Sequence, residues 1–427
     1  MMAPPPVTKR ELWSWYLFDF ANSSYTTLIV TVAYSIYFTQ VVAAGREAEA
    51  LWGRATSLSM LLIGLASPFL GAVADLTGQK KRFLIGLTLL CVAATGLMSL
   101  VGPGAVMLGL TLYVIANIGF NGCLTFYNAF LREIATEQEM GRISGYGWAV
   151  GYLGGLATLL LCFPLIAGGF APENLLSFRL SFLVTALFFL VFSIPTMRWL
   201  RERAARREIH PWLLLGMGLT RVRDTLRRLR FYPDLLRFFV AYILYNDGTS
   251  TVIAFASIFA AGVLGFTPKE LMIYFILTQL TSALGAWAMG PVTDWIGPKK
   301  TIAATLLVWI GVVVWASAVQ DKGMFYLVGL TAGLVIGSNQ AASRAMLALF
   351  TPPARSAEFF GFFSLTEKFS AILGPLVYGE VTLWTGSQRI AVLSVAGFFL
   401  VGLALLMFVN AARGMQAARL ESASTLQ

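Results

Sequence analysis

The chain has 427 residues, of which 57% are hydrophobic and only 12% charged, against about 25% charged in an ordinary soluble domain. That balance excludes a soluble globular enzyme or binding module and points to apolar runs of roughly 20 residues, the length that crosses a bilayer. A net charge of +10 raises nucleic acid as a partner, but where the charge sits along the chain argues for membrane topology instead.

Twelve apolar runs are long enough to span: 13–43, 52–76, 83–101, 104–131, 143–169, 178–197, 236–264, 271–290, 301–319, 323–350, 357–384 and 388–411. In hydrocarbon every backbone donor and acceptor must be satisfied within its own segment, so the runs are expected to be helices. With the amino terminus placed inside, 24 of the 31 Lys and Arg fall in cytoplasmic segments or helix ends; Arg46, Arg54, Arg179, Lys269, Lys322 and Arg389 fall outside, and Lys368 lies within a span. This positive-inside bias puts both termini in the cytoplasm. Lys9-Arg10 precede a first run too long for a signal-peptide core, so no cleavable signal is expected. Cys91, Cys123 and Cys162 fall inside spans and read as free packing thiols. With one histidine, His210, and no His/Cys cluster, no metal site of soft ligands is expected and no cofactor is implied. The absence of a Gly-x-x-x-x-Gly-Lys-Ser/Thr loop weighs against an ATP-driven pump.

In chain order, the first span carries Asp19, Asn22 and Ser23 on one helical face. Asp19 fits three roles: holding a substrate amine, carrying a proton, or bonding a neighbouring helix. The loop at 71–82 holds Gly71, Asp75, Gly78 and a Lys pair. Its glycines suit a tight turn, and its carboxylate suits the exposed amides of a neighbouring helix amino terminus or a nearby cation. The fourth span carries Asn117, Asn121, Asn128 and Arg132 as one polar stripe, which must face a cavity or another helix. Gly147, Gly151 and Gly155 recur every four residues in the fifth span, the spacing of close helix packing. Residues 198–237 contain eleven arginines. Within them Pro211 to Arg230 reads either as a helix on the membrane surface or as a solvated linker.

The seventh span holds Tyr245-Asn246-Asp247-Gly248, where the helix is expected to loosen and a buried carboxylate suits a proton carrier. The loop at 290–300 repeats the first one with Gly290, Asp294, Gly297 and Lys299-Lys300. The tenth span carries Gln340 and Arg344, four residues apart. Arg344 suits a substrate carboxylate or an acid of the first or eleventh span. Glu367 and Lys368, adjacent in the eleventh span, point about 100° apart and are expected to face different partners. The fourth-span sequence Tyr127-Asn128-Ala129-Phe130-Leu131-Arg132 followed by Gly145 has a counterpart in Ser343-Arg344-Ala345-Met346-Leu347-Ala348 followed by Gly361. Two halves with the same landmarks suggest a transporter of two repeated lobes, at 1–197 and 236–427, joined by the basic segment 198–235.

Trp15-Tyr16-Leu17-Phe18-Asp19-Phe20-Ala21-Asn22-Ser23-Ser24-Tyr25 resembles the Tyr-Asp-Trp-Ala-Asn-Ser-Ala-Tyr signature of one branch of the major facilitator superfamily, the branch of the fungal vacuolar amino-acid effluxer and its bacterial relatives. Phe126–Leu131, Arg142–Gly155, Leu244–Gly248, Ala357–Gly361 and Thr385–Arg389 resemble it too. The inter-helix loops resemble the superfamily's Gly-x-x-x-Asp-Arg-x-Gly-Arg-Lys motif, with Leu76 and Trp295 where Arg is usual. The resemblance implies a twelve-helix secondary transporter, and the compact chain suits a bacterial inner membrane.

Together these readings make a monomer of twelve transmembrane helices among membrane lipids. It moves a small-molecule substrate, with protons as a possible coupling ion. Asp19, Asn22, Asn121, Asn128, Asn246, Asp247, Gln340, Arg344, Glu367 and Lys368 are its lining candidates. Acids on both lobes and cations on the later spans suit a zwitterion such as an amino acid, and equally a small organic anion. An exporter of drugs or siderophore-like amphiphiles is the runner-up, and a non-transporting membrane enzyme or sensor the rival of another class.

Overall fold

A computed structural model of the chain describes residues 6–424 apart from 46, 208 and 229–231. Arg46 and Arg230, both weighed above, lie outside the described residues. Six helices form the first lobe: α1 Lys9–Val42, α2 Ala48–Thr77, α3 Lys80–Leu100, α4 Val106–Ile134, α5 Met140–Ile166 and α6 Leu175–Trp199. A connecting stretch then leads to α7, Pro211–Arg228. The second lobe holds α8 Pro233–Leu264, α9 Pro268–Ile296, α10 Pro298–Ala318, α11 Lys322–Phe350, α12 Ser356–Phe369, α13 Leu373–Thr385 and α14 Gln388–Met407, followed by α15, Ala411–Ser424.

Eleven of these helices are long and apolar enough to cross a membrane. The remaining crossing, expected as one run over 357–384, is made by α12 and α13 with a break at 370–372. The sequence placed the weak point elsewhere, at Gly248. The structure corrects this: α8 runs unbroken through that residue. A Cβ on Gly248 would come within 3.0 Å of the Phe399 ring, so the glycine serves close packing rather than bending. The first crossing is irregular as well, with π-helical stretches at Tyr25–Val32 and Phe38–Val42.

Helix ends follow their local chemistry. Gly78 closes α2 at φ +62°, a left-handed conformation, with its Cα face against the Ala205 carbonyl, where a side chain would clash at 2.4 Å. Thr267 and Glu270 form a capping box ahead of α9, with Pro268 in the first turn.

The connecting stretch, α7, α15 and both Lys-pair loops lie on one side of the bundle, here the basic face. On that half the two lobes touch backbone to backbone. A Cβ on Gly71 would lie 2.2 Å from the Ala357 carbonyl, one on Gly145 2.4 Å from the Ala286 carbonyl, and one on Gly361 2.5 Å from the Ser67 carbonyl. Further along the same helix faces the contact is lost. Gly53 and Gly379 have nothing within 4 Å of the Cβ position. Ser57 and Leu61 on α2, Leu376 and Leu383 on α13, Phe163 on α5, and Met272 and Phe275 on α9 are exposed. The lobes are therefore closed on the basic half and splayed on the far half.

Candidate functional site

An ion pair joins the lobes at the inner limit of the closed half. Arg344 of α11 donates from Nη1 to Asp19 Oδ2 of α1 at 3.1 Å and to Asn128 Oδ1 of α4 at 3.2 Å. Its Nε and Nη2 reach the Ser144 hydroxyl (3.0 Å) and carbonyl (2.6 Å) on α5. Asn22 donates to Asp19 Oδ1 at 3.3 Å. Both charges are buried, Arg344 at 3% and Asp19 at 6% exposure. The guanidinium lies 4.9 Å from the Trp15 ring, 5.2 Å from Trp148 and 5.8 Å from Tyr127, and aromatic faces stabilise a desolvated cation. Gly147 leaves the room: a Cβ there would meet Trp15, Arg344 and Asp19 at 2.7–2.8 Å. The glycine spacing read as packing thus also makes space for this pair. Of the two roles open to Arg344, the geometry matches the pairing with an acid of the first span, and four of its five N–H groups are bonded within the protein in this conformer.

The other polar candidates divide between two places. Lys368 of α12 crosses the lobe interface to Asn121 Oδ1 at 2.5 Å, and Asn121 is held by Asn117 at 3.0 Å. Glu367 points back into its own lobe and accepts from the Tyr242 hydroxyl at 3.2 Å. Gln340 accepts from the Tyr152 hydroxyl across the lobes. Glu367, Lys368, Gln340 and Asn246 are half-buried rather than closed over. Arg132, at the basic end of the fourth-span stripe, leaves this group and bonds the Thr351 carbonyl at 3.1 Å.

Asp247 does not join Asp19 or Arg344. It is fully buried, and its two oxygens accept from the backbone amides of Leu373 (3.0 Å) and Gly374 (2.9 Å), the first residues of α13. Asn246 reaches Ser370 beside the same break at 2.5 Å. A helix start inside a membrane exposes unpaired amides, and a carboxylate satisfies them and complements the dipole. The acid expected to loosen its own helix instead caps the break in another.

On the basic face the two repeated carboxylates are related by the pseudo-symmetry. Asp75 accepts from the amides of Ala357 (3.2 Å) and Glu358 (2.9 Å) at the start of α12. Asp294 accepts from Gly141 (2.6 Å) and Arg142 (3.0 Å) at the start of α5. Each bond joins one lobe to the other. Gly290 approaches the Arg142 backbone, where a Cβ would lie 3.2 Å away, and Gly297 takes φ +89° at the turn. Leu76 leaves Asp75 no arginine; buried Lys80 stands beside it at 3.7 Å, paired with Glu133 and donating to Ser356 at 2.9 Å.

Sequence reasoning missed Lys80, Ser144 and the ring cage. Trp15 precedes Asp19 by four residues and Trp148 follows Ser144 by four, so helical spacing carried the signal for the cage. Lys80 reads as one more topology-setting lysine until its burial is seen.

The connecting stretch adds a titrating group. Glu202 accepts from the amides of Lys80 (2.6 Å) and Lys81 (3.1 Å), which start α3. Burial pushes its carboxyl up to about 7, against the opposing pull of those amides. A raised folded value means the folded chain holds a proton that the unfolded chain has released. That stability is full below the ordinary carboxylate range and is lost as pH rises through about 7. The melting temperature of the solubilised protein is therefore expected to fall between about pH 5 and 8, and Glu202→Gln should flatten that slope. An equal slope in the variant would remove Glu202 as its source.

Residues 47–419 match the family described as vacuole effluxer Atg22 like. Over 410 residues the chain is 28% identical to YxiO, an uncharacterised MFS-type transporter of Bacillus subtilis (strain 168), covering 94% of this chain and 95% of that one. It is 27% identical over 308 residues to autophagy-related protein 22-1 of Neosartorya fischeri, covering 66% of this chain and 50% of that longer protein. Among solved structures it resembles the human organic anion transporter MFSD10 (TETRAN), with a TM-score of 0.73 at 16% identity over 94% of this chain and 100% of that one. It also resembles the E. coli fucose:proton symporter FucP, with a TM-score of 0.70 at 16% identity over 93% and 97%. At such identities the structural likeness speaks to the fold alone. Apolar helices, two pseudo-symmetric lobes and these relatives make the chain an integral membrane transporter and not an enzyme: it belongs to the vacuole effluxer Atg22-like family of the major facilitator superfamily.

Proposed function

We propose that the protein moves a small zwitterionic solute of the amino-acid class by alternating access, as a monomer. The moving bodies are residues 1–197 and 236–427, tethered by 198–235. The observation that carries the reading is the buried Asp19–Arg344 bridge between lobes, lying beneath half-buried Glu367, Lys368, Gln340 and Asn246 on the side where the lobes part. An acid and a cation on one helix, with amides around them, suit the two ends of a zwitterion. The basic face is cytoplasmic on the positive-inside argument, so this conformer faces outward, across a bacterial inner membrane. Uptake of a labelled amino-acid mixture into proteoliposomes tests the reading; saturable flux supports it, and none for any component overturns the substrate class.

The cycle is proton-coupled, with Glu367 as the exchanging carboxylate. Asp19 is held by Arg344 and Asp247 by two amides, whereas Glu367 has one neutral hydroxyl partner and partial access to solvent. Glu367→Gln should abolish accumulation driven by a pH gradient and spare substrate exchange, which moves no net proton. Undiminished accumulation in this variant would exclude Glu367 as the carrier.

A further inference from the structure

The helices lying outside the membrane bundle do more than connect and terminate it. α7 touches both lobes. On the first, Gly218 packs so closely on α2 that a Cβ would meet Phe69 at 2.7 Å and Val73 at 3.0 Å. On the second, Arg221 Nε donates to Glu358 Oε2 at 3.0 Å, Arg221 Nη2 to the Ala354 carbonyl at 3.1 Å, and the Thr225 hydroxyl to Glu358 Oε1. α15 spans the lobes in the same way. Gly414 packs on Phe350, and Glu421 accepts from Arg355 Nη1 at 2.8 Å, both within the second lobe. Arg419 reaches Glu137 in the α4–α5 loop of the first, and this bond holds the Glu137 carboxyl below its usual range, so it is charged at neutral pH.

One residue ties these contacts to the gate. The Glu358 carboxylate is fully buried and holds Arg221, Thr225 and Arg355, while its backbone amide bonds Asp75 across the lobe interface. Arg355 carries the chain of contacts on to Glu421 of α15. Parting the lobes on the basic face would pull Glu358 from Asp75, and neither helix would keep both of its anchors.

We propose that α7 and α15 form a two-helix strap, joined through Glu358, that holds the basic face closed and must let go of one lobe for that face to open. The strap regulates the transport cycle proposed above and rests on that reading. The free energy of its contacts adds to the closed conformer alone, so cutting them shifts the population towards opening.

The test reads accessibility and not transport, which separates failure of the strap from failure of the function. Thr293→Cys reports the interface, since Thr293 is 2% exposed and lies against Gly141 of the other lobe. The three native thiols are buried and give little background. In full-length protein in proteoliposomes, a membrane-impermeant thiol reagent on the basic side should react roughly tenfold faster when Arg221→Ala and Arg419→Ala are combined, and faster again with Glu358→Gln. A bifunctional crosslink between Glu137→Cys and Arg419→Cys should slow the reaction below that of the uncrosslinked protein. An unchanged rate in the double variant, or free reaction in the crosslinked protein, overturns the strap. Acceleration by Glu358→Gln with none in the Arg221→Ala, Arg419→Ala double variant also overturns it, because Glu358 would then act only through its own helix.

Discussion

Arg344→Ala is expected to stop transport and to lower stability by about 3–5 kcal/mol, the cost of leaving one charge of a buried pair without its partner. The stranded charge would be Asp19, 6% exposed, whose carboxylate would keep the neutral amide of Asn22 as a donor but lose its cation. Three further acceptors lose their donor at once: Asn128 Oδ1 and the Ser144 hydroxyl and carbonyl. The neutral pair Asp19→Asn with Arg344→Gln removes the stranded charge. It should regain most of the melting temperature, because no ion is left to desolvate, but not transport, because the charge attraction that draws the lobes together at this depth is gone. The two results separate a charge needed for folding from a charge pair needed for the cycle. Wild-type melting and flux in Arg344→Ala would end the argument for this bridge.

How much of this was legible beforehand depends on what each residue answers to. The spans were readable because hydrocarbon constrains every residue in them, and one polar residue in an apolar run stands out. Asp19 and Arg344 were singled out for that reason, though pairing them required the three-dimensional approach of α1, α5 and α11. The break between α12 and α13 was not readable. Its signal is divided between an ordinary-looking Ser370-Ala371-Ile372 and a carboxylate 126 positions away in sequence that caps it. Asp247 drew attention for the right physical reason, the cost of a charge in a membrane, and the answer to that cost was a pair of backbone amides, which leave no mark on sequence. The strap was half visible. The arginines of α7 could be counted, but the apolar and polar groups that receive them belong to both lobes and come together only in the folded chain.

The second large effect is expected at the paired carboxylates of the basic face. Asp75 and Asp294 each accept two amide bonds from the opposite lobe, and hydrogen bonds to a charged acceptor contribute about 1.5–3 kcal/mol each. These bonds exist only while the lobes are closed on that side, so they favour that conformer and no other. Asp→Asn keeps the shape and one carbonyl acceptor but removes the charge that complements the helix amino terminus. Each single change should raise the population open on the basic face, and the two together should do so by the product of their separate factors, since the sites lie on opposite sides of the interface and share no partner. Nitroxide labels at Arg82 and Trp295, in the two repeated loops, report the separation directly; Trp295 is 86% exposed and tolerates the label. In wild type the distance distribution should be dominated by the short, closed form, and in Asp75→Asn with Asp294→Asn a longer component should carry most of the weight. Transport should slow as well, because a cycle needs both conformers to be reached. Were the double variant to keep the short distance, the loops would be turns and no more, and closure of the basic face would rest on glycine packing and on the helices that cross it.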